Sequence, residues 1–508
     1  MRKILLSGIV LLVLLASFAS AATINAASCS YADVSAAITA AASGDTVRVP
    51  KCSATWTSQL VITKGIYLIG AGIGQTVITS GFYPVASDWS NNNANSFLIR
   101  YNPSDMAANH PFRFSGFDID CAGICNAIYL GSGSGYATSF NDKIRIDHNR
   151  LVGNRRAIQE GGHFFGVADN NIIVSTSAAF GGYAHHGTTW SFLTAEYGTS
   201  HNFYYEDNAV TMGTVASHDG HGGRYCLRYN SFTSAYAGNH YPIMDFHGNQ
   251  PGNLAANMLV EVYENTFDLE TRSGGLYDGR GGHAIIFNND VITTGSVSAK
   301  IREEFNDNID PVPFQPVTRQ PQHISDAYFW SNYKNGVTLI NPTISETVDY
   351  GGAIGLVPQW DIDAWKQTTP FTGASGVGVG LLSARPSTCT VGVGYWATDT
   401  KILYRCNATN GWVKYYTPYT YPHPLRTDCV KYPTLCDAGS ILPPPPPVVS
   451  VPGDVSGDGK VDIVDLSGVA FNFGKKSGDS GFNSKYDVVV NGVIDISDLS
   501  FVARRFIG

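Results

Sequence analysis

The sequence predicts an all-β fold, a parallel β-helix in which short strands coil into a solenoid, followed by a small α-helical module. Only 15% of the 508 residues are charged, whereas 54 are glycine and 12% are aromatic. This composition is typical of many short strands joined by tight turns. In addition, one strand-then-asparagine phrase recurs through the middle of the chain at spacings of about 20 to 40 residues, which indicates a solenoid.

The recurring phrase places β-branched and aromatic residues on both sides of an asparagine, which favours strands over helices. The aligned asparagines are Asn149, Asn170, Asn208, Asn230, Asn265 and Asn289. Their spacings of 21, 38, 22, 35 and 24 residues describe one short period with longer loops in alternate turns. Asparagine tolerates a left-handed bend between strands, and its amide can stack on the copy in the next coil. We therefore expect these asparagines to be structural.

The N-terminus predicts export. Two basic residues precede an apolar run over residues 4–18, and small residues follow, so residues 1–21 are predicted to be a signal peptide. No later stretch is apolar over about 20 residues, so we expect a secreted protein without a transmembrane segment. The net charge of −8 and the pI of about 5.9 argue against nucleic acid as a partner, because phosphate binding needs a basic face.

Nine cysteines lie beyond the predicted signal peptide. In an exported chain they favour disulfides over metal ligands. Their local spacing indicates the pairs Cys29–Cys52, Cys121–Cys125, Cys389–Cys406 and Cys429–Cys436, with Cys226 left single. Spacing does not determine connectivity.

The region after the signal peptide predicts a short capping helix over residues 32–42 and then strands within residues 44–50, 60–70 and 75–80. This opening, with the wording GDTVRVP and LIGAG after the helix, resembles the pectate-lyase-like right-handed β-helix superfamily. The resemblance implies a right-handed β-helix domain over residues 22–385. It leaves the chemistry open, because this fold supports lyases, hydrolases and non-catalytic proteins.

Two segments follow the predicted β-helix. Residues 389–416 alternate as in a pair of hairpins, which predicts a small C-terminal cap over residues 386–440, held by the disulfide Cys389–Cys406. Trp396 and Trp412 lie in this segment, where we expect packing in preference to sugar stacking. Five consecutive prolines then mark a stiff linker over residues 441–452.

Beyond the linker, residues 454–465 match the twelve-residue EF-hand-type loop, in which oxygen ligands at alternating positions surround calcium and a glycine makes the sharp turn. The expected ligands in this loop are Asp454, Ser456, Asp458, Lys460 through its backbone carbonyl, Asp462 and Asp465. Residues 487–498 repeat the loop. The expected ligands there are Asp487, Asn491, Asp495 and Asp498. Val489 offers no side-chain oxygen at the third position, which predicts a weaker second site.

A short amphipathic helix follows each loop. Two loop-helix halves with aspartate at the twelfth position resemble a type I dockerin over residues 453–508. The resemblance implies two bound Ca²⁺ ions and a cohesin domain as partner. The alternative is a stabilising calcium module that has no cohesin partner.

Three successive coils repeat an acidic-then-basic pattern in which the two residues lie two positions apart. The pairs are Asp219 with His221, Asp245 with His247, and Asp278 with Arg280. Residues two apart on a strand face the same side, and neighbouring strands lie about 4.8 Å apart, so the aspartates should form a column. Such a column raises the pKa values of its own members or recruits a cation. We expect the site at this column, with Arg302 on the same face.

Three functions agree with this column. A polysaccharide lyase would hold calcium against a uronic-acid carboxylate, and Arg280, Arg302 or a histidine would remove the adjacent proton. A glycoside hydrolase would use two of the aspartates as acid and base. The third possibility is a non-catalytic polysaccharide-binding or cell-surface protein. The lyase is the preferred hypothesis.

Overall fold

A computed structural model describes residues 21–436 except 85–93, 132–138, 184–195, 214–217, 235, 241, 249–255, 304–323 and 346–356. Beyond residue 436 it describes residues 455, 461, 463–477, 482–483, 486, 488 and 493–503. The predicted linker and nearly all of the predicted signal peptide lie outside these residues.

Three sheets of stacked strands form a β-helix-like solenoid, and the chain visits them in the repeating order A, B, C. Among the described residues, sheet A contains the strands Thr23–Asn25, Thr46–Arg48, Tyr67–Ile69, Phe112–Ser115, Asn141–Asp147, Phe164–Asp169, Phe203–Glu206, Arg224–Arg228, Leu259–Tyr263, His283–Phe287, Ala327–Trp330 and Ala364–Lys366. Sheet B contains the strands Cys52–Trp56, Thr76–Ser80, Asp118–Asp120, Arg150–Asn154, Ile172–Ser175, Ala209–Met212, Ser231–Ser234, Thr266–Glu270, Asp290–Thr293, Tyr333–Lys334 and Thr338–Leu339. Sheet C contains the strands Leu60–Ile62, Phe97–Tyr101, Asn126–Gly131, Ile158–Gly161, Phe180–Tyr183, His218–His221, Met244–Phe246, Gly274–Gly279, Val297–Ile301 and Thr343–Ile344.

Neighbouring strands within the three sheets are parallel except for the pair Tyr333–Lys334 and Thr338–Leu339. Inward-facing aliphatic and aromatic side chains fill the solenoid as one continuous core, from Val34 in the N-terminal helix to Ala364 in the last strand of sheet A. This arrangement agrees with the predicted solenoid of parallel strands.

A ladder of asparagine side chains follows the corner between sheets A and B. From the second member onward, the amide oxygen of each asparagine accepts two hydrogen bonds from the preceding asparagine, one from its backbone N–H and one from its side-chain NH₂, at 2.9–3.3 Å. Its members are Asn149, Asn171, Asn208, Asn230, Asn265, Asn289 and Asn332. The predicted ladder of stacked amides is confirmed.

Two details of the predicted ladder are wrong. Asn171 occupies the position assigned to Asn170, because the two residues are adjacent and the sequence pattern does not distinguish them. The left-handed bend also lies one residue earlier than expected. The bend residues have φ between 49° and 58° and are His148, Asn170, Asp207, Tyr229, Glu264, Asn288 and Ser331. The ladder asparagines thus keep their amides in line while the preceding residue turns the chain.

A helix over Tyr31–Ala40 covers the N-terminal end, as predicted. The Ser30 hydroxyl caps it by accepting from the backbone N–H of Asp33, and the Lys64 ammonium donates to carbonyls at its last turn. The disulfide Cys29–Cys52 ties its start to the first strand of sheet B. All four predicted disulfides are present, and Cys226 is free and buried.

A fourth sheet follows the solenoid, with the strands Val377–Gly380, Gly394–Ala397, Ile402–Ala408 and Gly411–Tyr416. The last three pair antiparallel, as the predicted hairpins require, whereas Val377–Gly380 pairs parallel and lies before them in the chain. Trp396 is buried against the rings of Phe287 and Trp330, with ring centroids 5.0 and 5.2 Å away. Trp412 donates its ring N–H to the Pro386 carbonyl. Both tryptophans therefore have packing roles.

After the fourth sheet, residues 416–436 run back along the outer face of sheet A toward the early coils. We call this segment the C-terminal strap; it includes the short helix Pro424–Thr427. It contacts Glu261 first, then Arg228, and later Arg145 and Arg113, in descending order of residue number. The segment expected to cap the end of the solenoid therefore also lies along its side.

The strap covers a stripe of buried charges on sheet A. Asp147 pairs with Arg113 at 2.6 Å, Asp169 with Arg145 at 2.8 Å, and Glu206 with Arg228 at 2.6 Å. Each arginine also donates to strap carbonyls. Burial opposes the charge of Asp147, but the neighbouring guanidinium groups hold the pKa of that carboxyl well below its usual range.

Candidate functional site

The column of aspartates lies on sheet C. Asp219 is in register with Asp245, Asp245 with Asp278, and Asp278 with Lys300 of the next coil. The neighbouring residues Phe246 and Ile301 belong to the hydrophobic core, so alternation along the strands places the column on the outer face. The stacking of the three aspartates was predicted from the repeated acidic-then-basic pattern, and the strand register has this arrangement.

Each described aspartate of the column contacts an arginine from the following coil. Asp245 pairs with Arg280, and Asp278 accepts two hydrogen bonds from Arg302 at 2.8 and 3.1 Å. The Lys300 ammonium lies 3.2 Å from the same carboxylate of Asp278. The expected mutual repulsion of stacked carboxylates is therefore offset by cationic side chains of this chain. The repeated acidic-then-basic pattern of the sequence predicts the column of aspartates but not these contacts between neighbouring coils.

His247 lies at the centre of this cluster. Its Nε2 is 2.8 Å from Arg280 Nη2 and 3.2 Å from Asp245 Oδ2. A neutral imidazole accepts from the guanidinium at this nitrogen, whereas an imidazolium pairs with the carboxylate. His247 is therefore placed to take up a proton with a counter-ion already in contact.

The cationic side chains beside the column are more exposed at its C-terminal end. Arg280 is 9% exposed, whereas Arg302 is 28% and Lys300 45% exposed. Groups that are both charged and partly accessible suit contact with a polar ligand. The accessible part of the described column therefore lies at its C-terminal end.

Two expected site residues are described only by their strand positions. They are Asp219 and His221, whose side chains lie outside the described residues. His240 is fully buried, with its Nε2 2.6 Å from the Ser234 hydroxyl, and burial lowers its pKa. It is therefore not accessible to a ligand. His163 is buried beside Phe165.

One acidic residue inside the solenoid has no recognisable signal in the sequence. Glu160 lies on the strand Ile158–Gly161 of sheet C with its side chain buried, and its Oε2 accepts from the Tyr205 hydroxyl at 2.6 Å. Burial raises the pKa of Glu160 to about 8, so the carboxyl is largely protonated at neutral pH. The register places Glu160 beside Leu130, with its side chain facing the interior of the solenoid. A single glutamate in the sequence does not reveal this orientation.

The calcium module is described in part. Two helices, Ile463–Phe471 and Ile496–Ala503, pack through a small core that includes Val469 and Val502. Asp465 and Asp498, the expected twelfth-position ligands, are fully buried in the first turns of these helices. Asp498 Oδ2 accepts from the backbone N–H of Asp495 at 2.8 Å.

Buried carboxylate oxygens at the start of each helix suit a hard cation such as Ca²⁺. The other expected ligands lie outside the described residues: Asp454, Ser456, Asp458, Lys460, Asp462, Asp487 and Asn491. Within the described part of the chain, no three acidic, histidine or cysteine side chains cluster closely enough to hold a metal ion.

The two loop-helix halves define a duplicated module of the calcium-binding type. Residues 452–507 match the family described as dockerin type I domain, so this part of the chain is a type I dockerin. Dockerin domains of this type bind calcium, which supports Ca²⁺ as a ligand of the module. No curated protein sequence matches the chain.

Three solved structures show partial similarity. A protein of Geobacillus virus E2, ORF18, is 14% identical with a TM-score of 0.32, and the match covers 64% of this chain and 61% of that one. The catalytic domain of a GH87 alpha-1,3-glucanase, bound to tetrasaccharides, is 13% identical with a TM-score of 0.31 and 68% coverage of each chain. DFA-IIIase from Arthrobacter chlorophenolicus A6, bound to DFA-III, is 12% identical with a TM-score of 0.25, covering 64% and 82%. Similarity at this level carries no information on the activity of this chain.

Within the described residues, every helix is too short or too polar to cross a membrane.

Proposed function

We propose that this protein is a secreted polysaccharide lyase that cleaves a uronic-acid-containing polysaccharide by cation-assisted β-elimination, and that its dockerin anchors it to a cohesin-bearing partner. The observation that supports the lyase most is the cluster of carboxylates, guanidinium groups and a histidine on the outer face of sheet C. The core of the solenoid is formed by inward-facing residues, so this cluster is not needed to fill it.

β-Elimination removes the proton next to the substrate carboxylate, breaks the bond to the glycosidic oxygen and forms a carbon–carbon double bond. Arg302, which is 28% exposed, neutralises the substrate carboxylate, which acidifies that proton, while the shielded Arg280 holds Asp245. His247 accepts the proton at Nε2 in place of its hydrogen bond from Arg280, and Asp245, 3.2 Å from that nitrogen, stabilises the imidazolium. The leaving oxygen takes a proton from solvent. Asp278 orients Arg302 through two hydrogen bonds.

The carboxylates of Asp245 and Asp278 already accept from arginines, so guanidinium groups replace calcium as the neutralising cation in this proposal. A chelator is then expected to leave catalysis intact and to abolish cohesin binding through the dockerin. This differs from the sequence-based hypothesis, in which the column itself holds calcium.

A glycoside hydrolase is the second candidate. Asp219 and Asp245 are in register on adjacent parallel strands, which lie about 4.8 Å apart. A separation of about 5 Å between two carboxyl groups is typical of retaining glycosidases. The third candidate is a protein that binds a polysaccharide on the same face without cleaving it.

Product analysis separates the three candidates. The purified full-length protein is incubated with acidic and with neutral polysaccharides, each with and without chelator. An ultraviolet-absorbing unsaturated uronide indicates the lyase, reducing ends without that absorbance indicate the hydrolase, and retention on the polymer without products indicates binding alone. If no polysaccharide is cleaved, the enzyme proposal is wrong.

The site itself is tested with His247→Ala and Asp245→Asn, against Glu270→Gln as control. Glu270 pairs with Arg272 at 2.8 Å outside the column, at the exposed C-terminal end of a strand of sheet B. We expect the first two variants to lose at least about a hundredfold in turnover, and the control to keep it. Normal turnover in both site variants, when each is folded, would place the site on another face.

The stability of Asp245→Asn tests the contacts of the column. Relief of repulsion between stacked aspartates, taken alone, leaves the melting temperature unchanged or raised. Asp245 is the partner of the buried Arg280 guanidinium, so its removal leaves that cation without this carboxylate. We now expect a modest destabilisation, which near-ultraviolet circular dichroism during thermal unfolding detects.

A further inference from the structure

The outward row of sheet C changes the sign of its charge at the last coil of the column. Asp219, Asp245 and Asp278 occupy one register position in three successive strands, and Lys300 occupies it in the fourth. Two residues further along that strand, Arg302 follows at the end of the same face. The column is therefore acidic through three coils and cationic at its C-terminal end.

The two cationic groups at this end have donors that Asp278 does not use. Arg302 engages the carboxylate through Nε and Nη2, which leaves Nη1 for another acceptor. The Lys300 ammonium contacts the carboxylate once, at 3.2 Å, and has three N–H donors. Their exposed fractions of 28% and 45% place both groups within reach of a ligand.

The arginine of the preceding coil is less accessible. Arg280 is 9% exposed, and its Nη2 contacts both Asp245 and His247. Its guanidinium is thus shielded from solvent, whereas the two cations in contact with Asp278 face solvent. An added anion therefore gains most at Lys300 and Arg302.

We propose that Lys300, together with the outer edge of Arg302, forms the subsite that binds a carboxylate of the polysaccharide and selects uronic acids over neutral sugars. The inference rests on the proposed function, since it assigns the specificity of the same face. Lys300 acts as a specificity-determining residue that contacts the substrate. Asp278 holds both cations in place.

The test compares binding and cleavage in the full-length protein. The probes are polygalacturonate, alginate and hyaluronate, each beside its carboxyl-reduced form, and affinity is measured by retardation in gels that contain the polymer. We expect Lys300→Gln to weaken binding of the preferred acidic polymer about tenfold, equivalent to about 1.4 kcal/mol, and to raise KM with little change in kcat. Lys300→Arg should restore binding.

Lys414→Gln provides the control, because Lys414 is an exposed lysine on the fourth sheet. It should bind as the wild type does, and the carboxyl-reduced polymers should be bound equally by all variants. The inference is overturned if Lys300→Gln retains full preference for the acidic polymer, or if the wild type binds no acidic polymer at all. Acidic-polymer binding that needs Lys300 but yields no cleavage would instead refute the lyase and leave this subsite standing.

Discussion

Replacement of Arg228 by methionine tests how the C-terminal strap is held to the solenoid. The Arg228 guanidinium donates to Glu206 at 2.7 Å, to the Tyr263 hydroxyl at 3.0 Å, and to the strap carbonyls of Tyr419 and Thr420 at 2.7 and 2.9 Å. Its side chain is fully buried. Methionine keeps much of the apolar stem and removes every one of these donors.

The expected loss of stability follows from these contacts. Removing one partner of a buried ion pair costs about 3–5 kcal/mol, and a buried carbonyl left without a donor costs about 1–3 kcal/mol. Glu206 keeps its 2.7 Å contact with Arg426, which limits the first cost, and the freed strap relaxes, which limits the second. We therefore expect a loss of about 4 kcal/mol.

The free thiol of Cys226 reports on the strap. It is fully buried in a cluster with Tyr416 and Leu425 of the strap. Opening of the strap that is easier by about 4 kcal/mol should speed thiol modification by a small disulfide reagent about a thousandfold under native conditions. Arg426→Met removes an arginine of the strap itself and should also speed modification of the Cys226 thiol. This variant leaves unchanged Arg228, which lies two residues from the thiol on the same strand.

Arg150→Met is the matched control. Arg150 pairs with Asp118 at 2.9 Å on sheet B but is 39% exposed, so its loss should cost about 0–1 kcal/mol. Equal denaturant midpoints and equal thiol reactivity for Arg228→Met and Arg150→Met would refute the argument that the strap is fixed by buried charges.

Three further predictions concern other parts of the chain. Asn230→Ala breaks the ladder in its middle and should lower the free energy of unfolding in denaturant by about 2–4 kcal/mol. Asn170→Gly should lower it little, because Asn170 is a bend residue at φ 53° and not a ladder member. A larger loss for Asn170→Gly than for Asn230→Ala would contradict the placement of Asn170 outside the ladder. Burial raises the pKa of Glu160 to about 8, so the folded state keeps a proton that the unfolded chain releases above about pH 4.3. The free energy of unfolding should therefore fall as the pH rises through this interval. Glu160→Gln should reduce this pH dependence in melting curves measured from pH 5 to 8. Calcium should increase the helical circular dichroism of an isolated 453–508 fragment, with Asp458→Ala more damaging than Asn491→Ala; a spectrum indifferent to both calcium and chelator would contradict the calcium-dependent folding of the dockerin.

Much of the fold was predictable because its determinants are local. Period-two strands, glycine turns and a recurring asparagine specify a solenoid of parallel strands, and each coil contacts only its neighbours. The same locality allowed the four disulfides to be paired correctly, since every partner lies within 23 residues in the chain. The dockerin was identifiable because its ligand spacing is itself the motif.

The strap was not predictable, because its contacts join positions far apart in the chain. Arg113 donates to a carbonyl 321 residues away, and nothing in the local pattern of either segment specifies that pairing. The charged residues of sheet A therefore appeared as isolated arginines and acids in the sequence. Only the path of the strap shows that they are buried and paired.

At the candidate site the division is similar. An acidic-then-basic pattern that recurs in three successive coils predicted by itself that Asp219, Asp245 and Asp278 share one register position, because a solenoid stacks equivalent positions of successive coils. Only the tertiary structure decided what stands beside them. The side chains of Arg280 and Arg302 reach across to the preceding coil, and the length and direction of a side chain are not encoded in the spacing of residues along one strand.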